Sequence, residues 1–296
     1  MSTRSRVSIY RFLLIAIGIC LAPALRGQTP DGFNPGANGS VTAMALQPDS
    51  KVLVGGQFTT LAGQTRNHIG RLNQNGSLDL PFNPGADGGV ATLCVQADGK
   101  ILVAGYFTTL AGQARTNLAR LNPDGTLDST FNPVVQGSPV ACLTVQPDGR
   151  ILMGGTFTSV SGQAHTNLAR LNADGTVDST FNPVAAGGSS PYVEALTVQP
   201  DGRILVGGVF TNLCGQLRKN FGRLTSDGKL DGTFTAPANA AVNTILVQKD
   251  GGIVVMGAFT NLCGQTRNYL GRVSSGGVLD SAFNPAPDNS FRSVVL

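Results

Sequence analysis

The sequence predicts an all-β chain folded as a β-propeller, with five complete four-stranded blades of about 50 residues and one extra first strand. Three observations carry this reading. Near-copies of the stretch Asn117 to Pro133 recur at 68–84, 167–183, 220–237 and 269–285. Aligned on Phe82, Phe131, Phe181, Phe234 and Phe283 they lie 49, 50, 53 and 49 residues apart, and Phe33 opens the series 49 residues before Phe82. Second, 39 glycines accompany only 13% charged residues, which suits short strands joined by tight turns rather than disorder. Third, no helical period appears outside the N-terminal apolar run. A β-helix, with shorter coils and fewer hairpin turns, is the lesser alternative.

The chain begins with Arg4, Arg6 and Arg11, followed by an apolar run from Phe12 to Leu25 and the small-residue pattern Ala22-Pro23-Ala24. That run is shorter than the ~20 residues a spanning helix needs. Residues 1–24 therefore read as a cleaved secretory signal, leaving 25–296 as propeller repeats outside the cytoplasm, with no membrane span after cleavage. Ile19 before Cys20 argues against a lipid anchor. The signal holds three Arg and no acids, so cleavage lowers the formal charge from +4 to +1. Lys and Arg are otherwise spread evenly, which excludes the concentrated basic surface of a nucleic-acid binder.

The repeat units run approximately 33–81, 82–130, 131–180, 181–233 and 234–282, with a partial unit at 283–296. Each opens with a strand (41–46, 90–95, 140–145, 193–198, 242–247) whose third position is always small. A Pro-Asp-Gly-type turn follows, as at Pro147-Asp148-Gly149, where Pro presets φ and Gly takes the left-handed position of a three-residue hairpin. The second strand carries a glycine in every unit, Gly56, Gly105, Gly155, Gly208 and Gly257, implying close backbone approach. A connection of constant form, Phe58 to Gln64 in the first unit, leads to the third strand (117–122 in the second unit) and, after another tight turn, the fourth (126–131).

A three-residue loop at 123–125 sets Leu121 opposite Leu127 and Arg120 opposite Asp128. The same offset pairs Arg71 with Asp79, Arg170 with Asp178, Arg223 with Asp231 and Arg272 with Asp280. A partly exposed pair of this kind is expected to contribute roughly 0.2–1 kcal/mol. A charge pair present in every unit is structural rather than catalytic, because an active site is needed once.

The pattern Gln-Pro-Asp-Gly-Arg-Ile-Leu, Gly-Gly-x-Phe-Thr, Gly-Gln, Arg-Leu-Asn-x-Asp-Gly-Thr-x-Asp-Ser-Thr-Phe-Asn-Pro stands most fully at 146–155 and 167–183. It resembles the delta-60 repeat family of bacterial β-propellers over residues 33–296. The resemblance implies a propeller in an exported or surface protein and carries over no catalytic residue. Phe291 to Leu296 aligns with the first strand 41–46, which either completes a ring or belongs to a larger propeller in a longer multidomain surface protein.

No catalytic residue, metal ligand set or cofactor motif stands out. The two histidines, His68 and His165, occupy different repeat positions and read as exposed polar substitutions. Asn122-x-Asp124-Gly125-x-x-Asp128 has only part of a calcium-loop pattern, and the fifth unit has no acid in that turn. Cys94, Cys142, Cys214 and Cys263 read as small buried fillers rather than disulfide partners, the last two being equivalent points on neighbouring units. Variation concentrates in the links to each first strand and at its second residue: Thr42, Ala91, Ala141, Glu194, Asn243 and Arg292. Asp87, Gln136, Tyr192, Glu194, Asn243 and Arg292 are accordingly the candidate binding residues facing the axis. The expected role is a non-enzymatic binding or structural scaffold for a protein or glycan partner. The alternative is a propeller enzyme of lyase or hydrolase type, with its site in the central funnel.

Overall fold

The computed structural model describes residues 35–288, and all of its regular elements are β-strands. The signal reading, Phe33 and the strand expected at 291–296 lie outside the described residues. Among the described residues no helix is long and apolar enough to cross a membrane.

Five blades follow one another. Their inner strands are Val41–Leu46, Val90–Val95, Val140–Val145, Tyr192–Val198 and Val242–Val247, and each of the first four packs against the inner strand of the next blade. The middle strands, Val52–Gly56, Ile101–Gly105, Ile151–Gly155, Ile204–Val209 and Ile253–Gly257, are almost wholly buried. The third strands are Ile69–Leu72, Leu118–Leu121, Leu168–Leu171, Phe221–Leu224 and Leu270–Val273. Within a blade the order is inner, middle, third, all antiparallel. Near-continuous apolar runs such as Ile101-Leu102-Val103-Ala104 follow from burial of both sheet faces, since a middle strand has a blade on either side.

The fourth strand of each blade is a segment joined to the third by a single bridge, Leu121 to Leu127 in the second blade. Asn122 N donates to Thr126 O and Asp128 N donates to Arg120 O, at 2.8 and 2.9 Å, which is the register set by the three-residue loop. Bridging stops there because Asp128 turns the chain, accepting from Thr130 N and Oγ1 at 3.1 and 2.6 Å.

The connection between second and third strands holds an element the sequence reading left without structure. In every blade it is a two-residue-loop hairpin, Thr60–Leu61 with Gln64–Thr65 in the first and Asn261–Leu262 with Gln265–Thr266 in the last. Its loop residues all have positive φ, Ala111 and Gly112 at 51° and 71° for example, as a mirror-image turn requires. Alanine, serine and cysteine at the first loop position hide the usual Asn-Gly signature. Each hairpin also pairs with the preceding link, Val135–Gln136 on Ser159–Val160 and Ala185–Ala186 on Asn212–Leu213.

The core is divided between blades. Phe82, Ile69 and Leu53 of the first blade meet Val90, Val103 and Phe107 of the second, and comparable clusters fill the next three interfaces. A smaller fifth cluster, with Val54, Phe58, Leu61 and Leu72, lies on the leading face of the first blade. Fully burying one such aromatic or aliphatic side chain contributes about 1.5–3 kcal/mol.

Candidate functional site

Each inner strand contains a β-bulge. Val41 pairs with Gly56 and Ala43 with Gly55, which leaves Thr42 as the extra residue. The same shift makes Ala91, Ala141, Glu194 and Asn243 the bulged residues of the other blades. This explains the repeated glycine opposite. A Cβ at Gly105 would lie 2.1 Å from Gly89 O, and one at Gly257 1.9 Å from Ala241 O, so the bulged strand presses directly on the middle strand. Bulges re-aim side chains, and here the re-aimed position is the variable one.

Glu194 and Asn243 therefore occupy equivalent bulges on adjacent inner strands, both half-buried, with the Asn243 Oδ1 atom buried. Tyr192 is half-buried two residues before Glu194 and pairs with Val209. Thr42 Oγ1 donates to Val90 O of the next inner strand at 2.6 Å. Arg292 lies outside the described residues.

Asp87 and Gln136 are placed differently, on the hairpin tier rather than the inner strands. Asp87 Oδ1 accepts from Thr108 N and Thr109 N, both at 2.8 Å, and Oδ2 accepts from Thr108 Oγ1 at 2.5 Å. Asn38 and Asn239 cap the first and last hairpins in the same way. Gln136 Oε1 accepts from Ser159 Oγ at 3.1 Å. Burial pushes the Asp87 carboxyl upward, but the bonds from Thr108 and Thr109 outweigh it and hold the group below the usual range. An Asn or Asp at a fixed offset of 21 residues before the hairpin threonine was the available sequence signal.

The Arg–Asp pairs are more deeply placed than a partly exposed cross-strand pair. Arg71, Arg120, Arg170 and Arg223 are buried. Their Nε atoms reach Asp79, Asp128, Asp178 and Asp231 Oδ2 at 2.8–2.9 Å. A second cation from the start of the middle strand joins the carboxylate, Lys51 and Lys100 at 2.9 Å, Arg203 at 3.5 Å and Arg150 at 3.8 Å. Each guanidinium also stacks over the phenylalanine of its own repeat, Phe82, Phe131, Phe181 or Phe234, at 4.2–4.5 Å.

A second nitrogen, Nη1, crosses to the next blade. Arg120 Nη1 donates to Ala173 O and Arg170 Nη1 to Ser226 O, both at 2.6 Å, while Arg71 donates to Pro123 O and Arg223 to Ser275 O. The pairs are thus inter-blade latches. Burial raises the Asp128 carboxyl, yet hydrogen bonds from Thr130, Lys100 and Arg120 prevail and hold it well below the carboxylate range. Asp79, Asp178 and Asp231 are lowered by the same balance.

Two expectations about other residues change. His165 is 3% exposed, not an exposed substitution, and among the described residues its Nδ1 has no hydrogen-bond partner. It stands where Arg66 and Arg267 use their Nη2 atoms to hold Leu80 O at 2.9 Å and Ser281 O at 3.1 Å of the fourth segment. Burial lowers its pKa. His68 is half-buried at φ 65°, with Nδ1 3.1 Å from Gly56 O. Cys94, Cys142, Cys214 and Cys263 are free and half-buried. Burial pushes the Cys142 thiol far up, helped by the neighbouring Glu194 charge, so it is no ready nucleophile. Among the described residues no group of His, Cys, Asp and Glu is arranged to hold a metal ion.

A chain of blades joined through repeated latches is a β-propeller repeat protein. The chain belongs to the family described as a beta-propeller domain of unknown function, DUF5122, whose model matches residues 47–82, 96–131, 146–181, 199–234 and 248–283. No curated protein matches it. Similar solved structures include virginiamycin B lyase from Staphylococcus aureus, at 18% identity and TM-score 0.50, covering 84% of this chain and 71% of that one. A streptogramin B lyase has 20% identity and TM-score 0.51 over 86% and 73%. An extracellular domain from B. thetaiotaomicron has 17% identity and TM-score 0.45 over 79% and 28%. At these identities the likeness is one of fold.

Proposed function

We propose that the protein is an exported, non-enzymatic propeller that presents its inner-strand bulges and adjoining links to a protein or glycan partner. One observation carries this reading. The Arg and Asp fixed in every repeat are paired with each other in the latches, while the residues that differ from blade to blade stand at the bulges. Export rests on the basic start and short apolar run of residues 1–24. The delta-60-like motifs agree with a surface protein. Propellers host both binding and catalysis, so the fold of the lyases brings no activity with it.

The test is a glycan array and a pull-down from cell-surface extract, with the chain and its Glu194→Ala/Asn243→Ala variant. Selective capture that the variant loses, with unfolding temperature unchanged, supports the reading. Capture insensitive to both bulges, or turnover abolished by Glu194→Gln, overturns it.

A further inference from the structure

We infer that the rim around the link 85–89, at the entry to the second blade, is a subsite for an uncharged sugar, with Tyr106 as its stacking platform. The inference rests on the proposed reading of the protein as a binding propeller and narrows the partner to a glycan. Tyr106 is 61% exposed and is the only exposed Phe or Tyr among the described residues. It directly follows the middle strand, and its N–H donates to Gly89 O at 2.8 Å, beside the bulge of the inner strand. Phe107 is buried and Thr108 exposed, so Tyr106 and Thr108 turn outward together. Thr108 brings Asp87 to the same face, its Oγ1 donating to Asp87 Oδ2.

Gln57 holds the Tyr106 position in the first blade and reaches across the same link. A Cβ at Gly89 would lie 2.1 Å from Gln57 Nε2, so glycine there makes room for the amide. Gln57 is exposed, and among the described residues its amide has no hydrogen-bond partner. The link itself, Gly85-Ala86-Asp87-Gly88-Gly89, is three-fifths glycine, which leaves little beside Tyr106 to cover its ring.

This set of groups suits a pyranose ring. The C–H face of a sugar packs on an aromatic ring, and its hydroxyls both donate and accept. Gln57 answers with a donor and an acceptor on one amide. Burial opposes ionisation of Asp87, but the bonds from Thr108 and Thr109 outweigh it, so the carboxylate is charged and accepts. The same charge repels phosphate, sulfate and uronate groups, which makes the sugar a neutral one. A quaternary ammonium ligand would need a cage of aromatics that the rim lacks. A protein partner would need an apolar core to its interface, and one tyrosine among glycines does not supply it.

The experiment is calorimetric titration of the purified chain with cellohexaose, maltohexaose, mannohexaose and chitohexaose. The expected result is saturable binding of at least one, weakened about tenfold in Tyr106→Ala and kept in Tyr106→Phe. Gln57→Ala should weaken it about three- to tenfold. Both side chains are exposed, so the unfolding temperature should not change. The Glu194→Ala/Asn243→Ala variant separates this inference from the reading beneath it. Binding that needs Tyr106 and not the bulges supports the subsite and removes the bulges from the reading. Binding lost with the bulges but untouched by Tyr106→Ala overturns the subsite and leaves the binding propeller standing. No binding of any of the four sugars overturns the subsite, and so does hexagalacturonate bound as tightly as they are.

Discussion

Arg170 and Arg272 hold the same place in their repeats and have different surroundings. Arg170 is 2% exposed, paired with Asp178, stacked on Phe181 and bonded to the carbonyl of Ser226 in the next blade. Arg272 has the aspartate and a looser phenylalanine but no such carbonyl among the described residues, and about a third of its side chain is in contact with water. One residue type in one motif is therefore an inter-blade latch in one place and a surface ion pair in the other. Its energetic weight comes from the blade that follows, because water around Arg272 screens what burial intensifies around Arg170.

That contrast sets the largest expected effect. Arg170→Ala should destabilise by about 3–5 kcal/mol, since it leaves the buried Asp178 carboxylate with one distant cation and the Ser226 carbonyl without a donor. Arg272→Ala should cost no more than about 1 kcal/mol. Parallel urea titrations decide it, and equal losses would mean that the inter-blade bond adds nothing.

Glycines divide in the same way. Gly175 has φ 94° and a Phe131 ring atom 2.7 Å from where a Cβ would sit, whereas Gly162 has φ 78° and open space. Gly175→Val should destabilise by about 2–5 kcal/mol through strain plus overpacking. Gly162→Ala should lose only about 1 kcal/mol. Thermal unfolding of the two variants side by side reads the difference.

Acid should open the latches from the inside. The latch aspartates have folded pKa values below their unfolded ones. Their contribution is complete above the unfolded value of about 3.9 and is lost as pH falls below it toward the folded values. Stability measured from pH 5 down to pH 2 should fall in wild type, and Asp178→Asn should fall less steeply while starting lower.

The third blade offers the smallest effect and the finest comparison. His165 is buried with no partner for Nδ1 among the described residues, where Arg66 and Arg267 bind fourth-segment carbonyls. Because burial lowers its folded pKa, its contribution is complete above the unfolded value of about 6.5 and declines as pH drops below that. His165→Arg should restore the missing bonds, stabilising by about 1 kcal/mol, and flatten stability just below pH 6.5. A variant no more stable than wild type at pH 7 would show that the histidine already fills the position as well as arginine does.

The sequence alone determined the repeat and the strand register. The Arg120–Asp128 offset follows from counting across a three-residue loop, and Gly105 had to be glycine because something came close, as Gly89 O does. These are local matters, set by φ preferences and by alternation along one chain segment. The hairpin at Ala111-Gly112 escaped because its turn uses alanine where asparagine is the usual signal. Asp87 read as a free link residue because its threonine partners lie 21 residues away. Only the tertiary structure decided that Arg170 is a latch, that Arg272 is exposed and that His165 is buried. Each of those outcomes depends on which surface of a neighbouring blade or hairpin covers the side chain, and covering is a property of packing that a residue's own repeat motif does not contain.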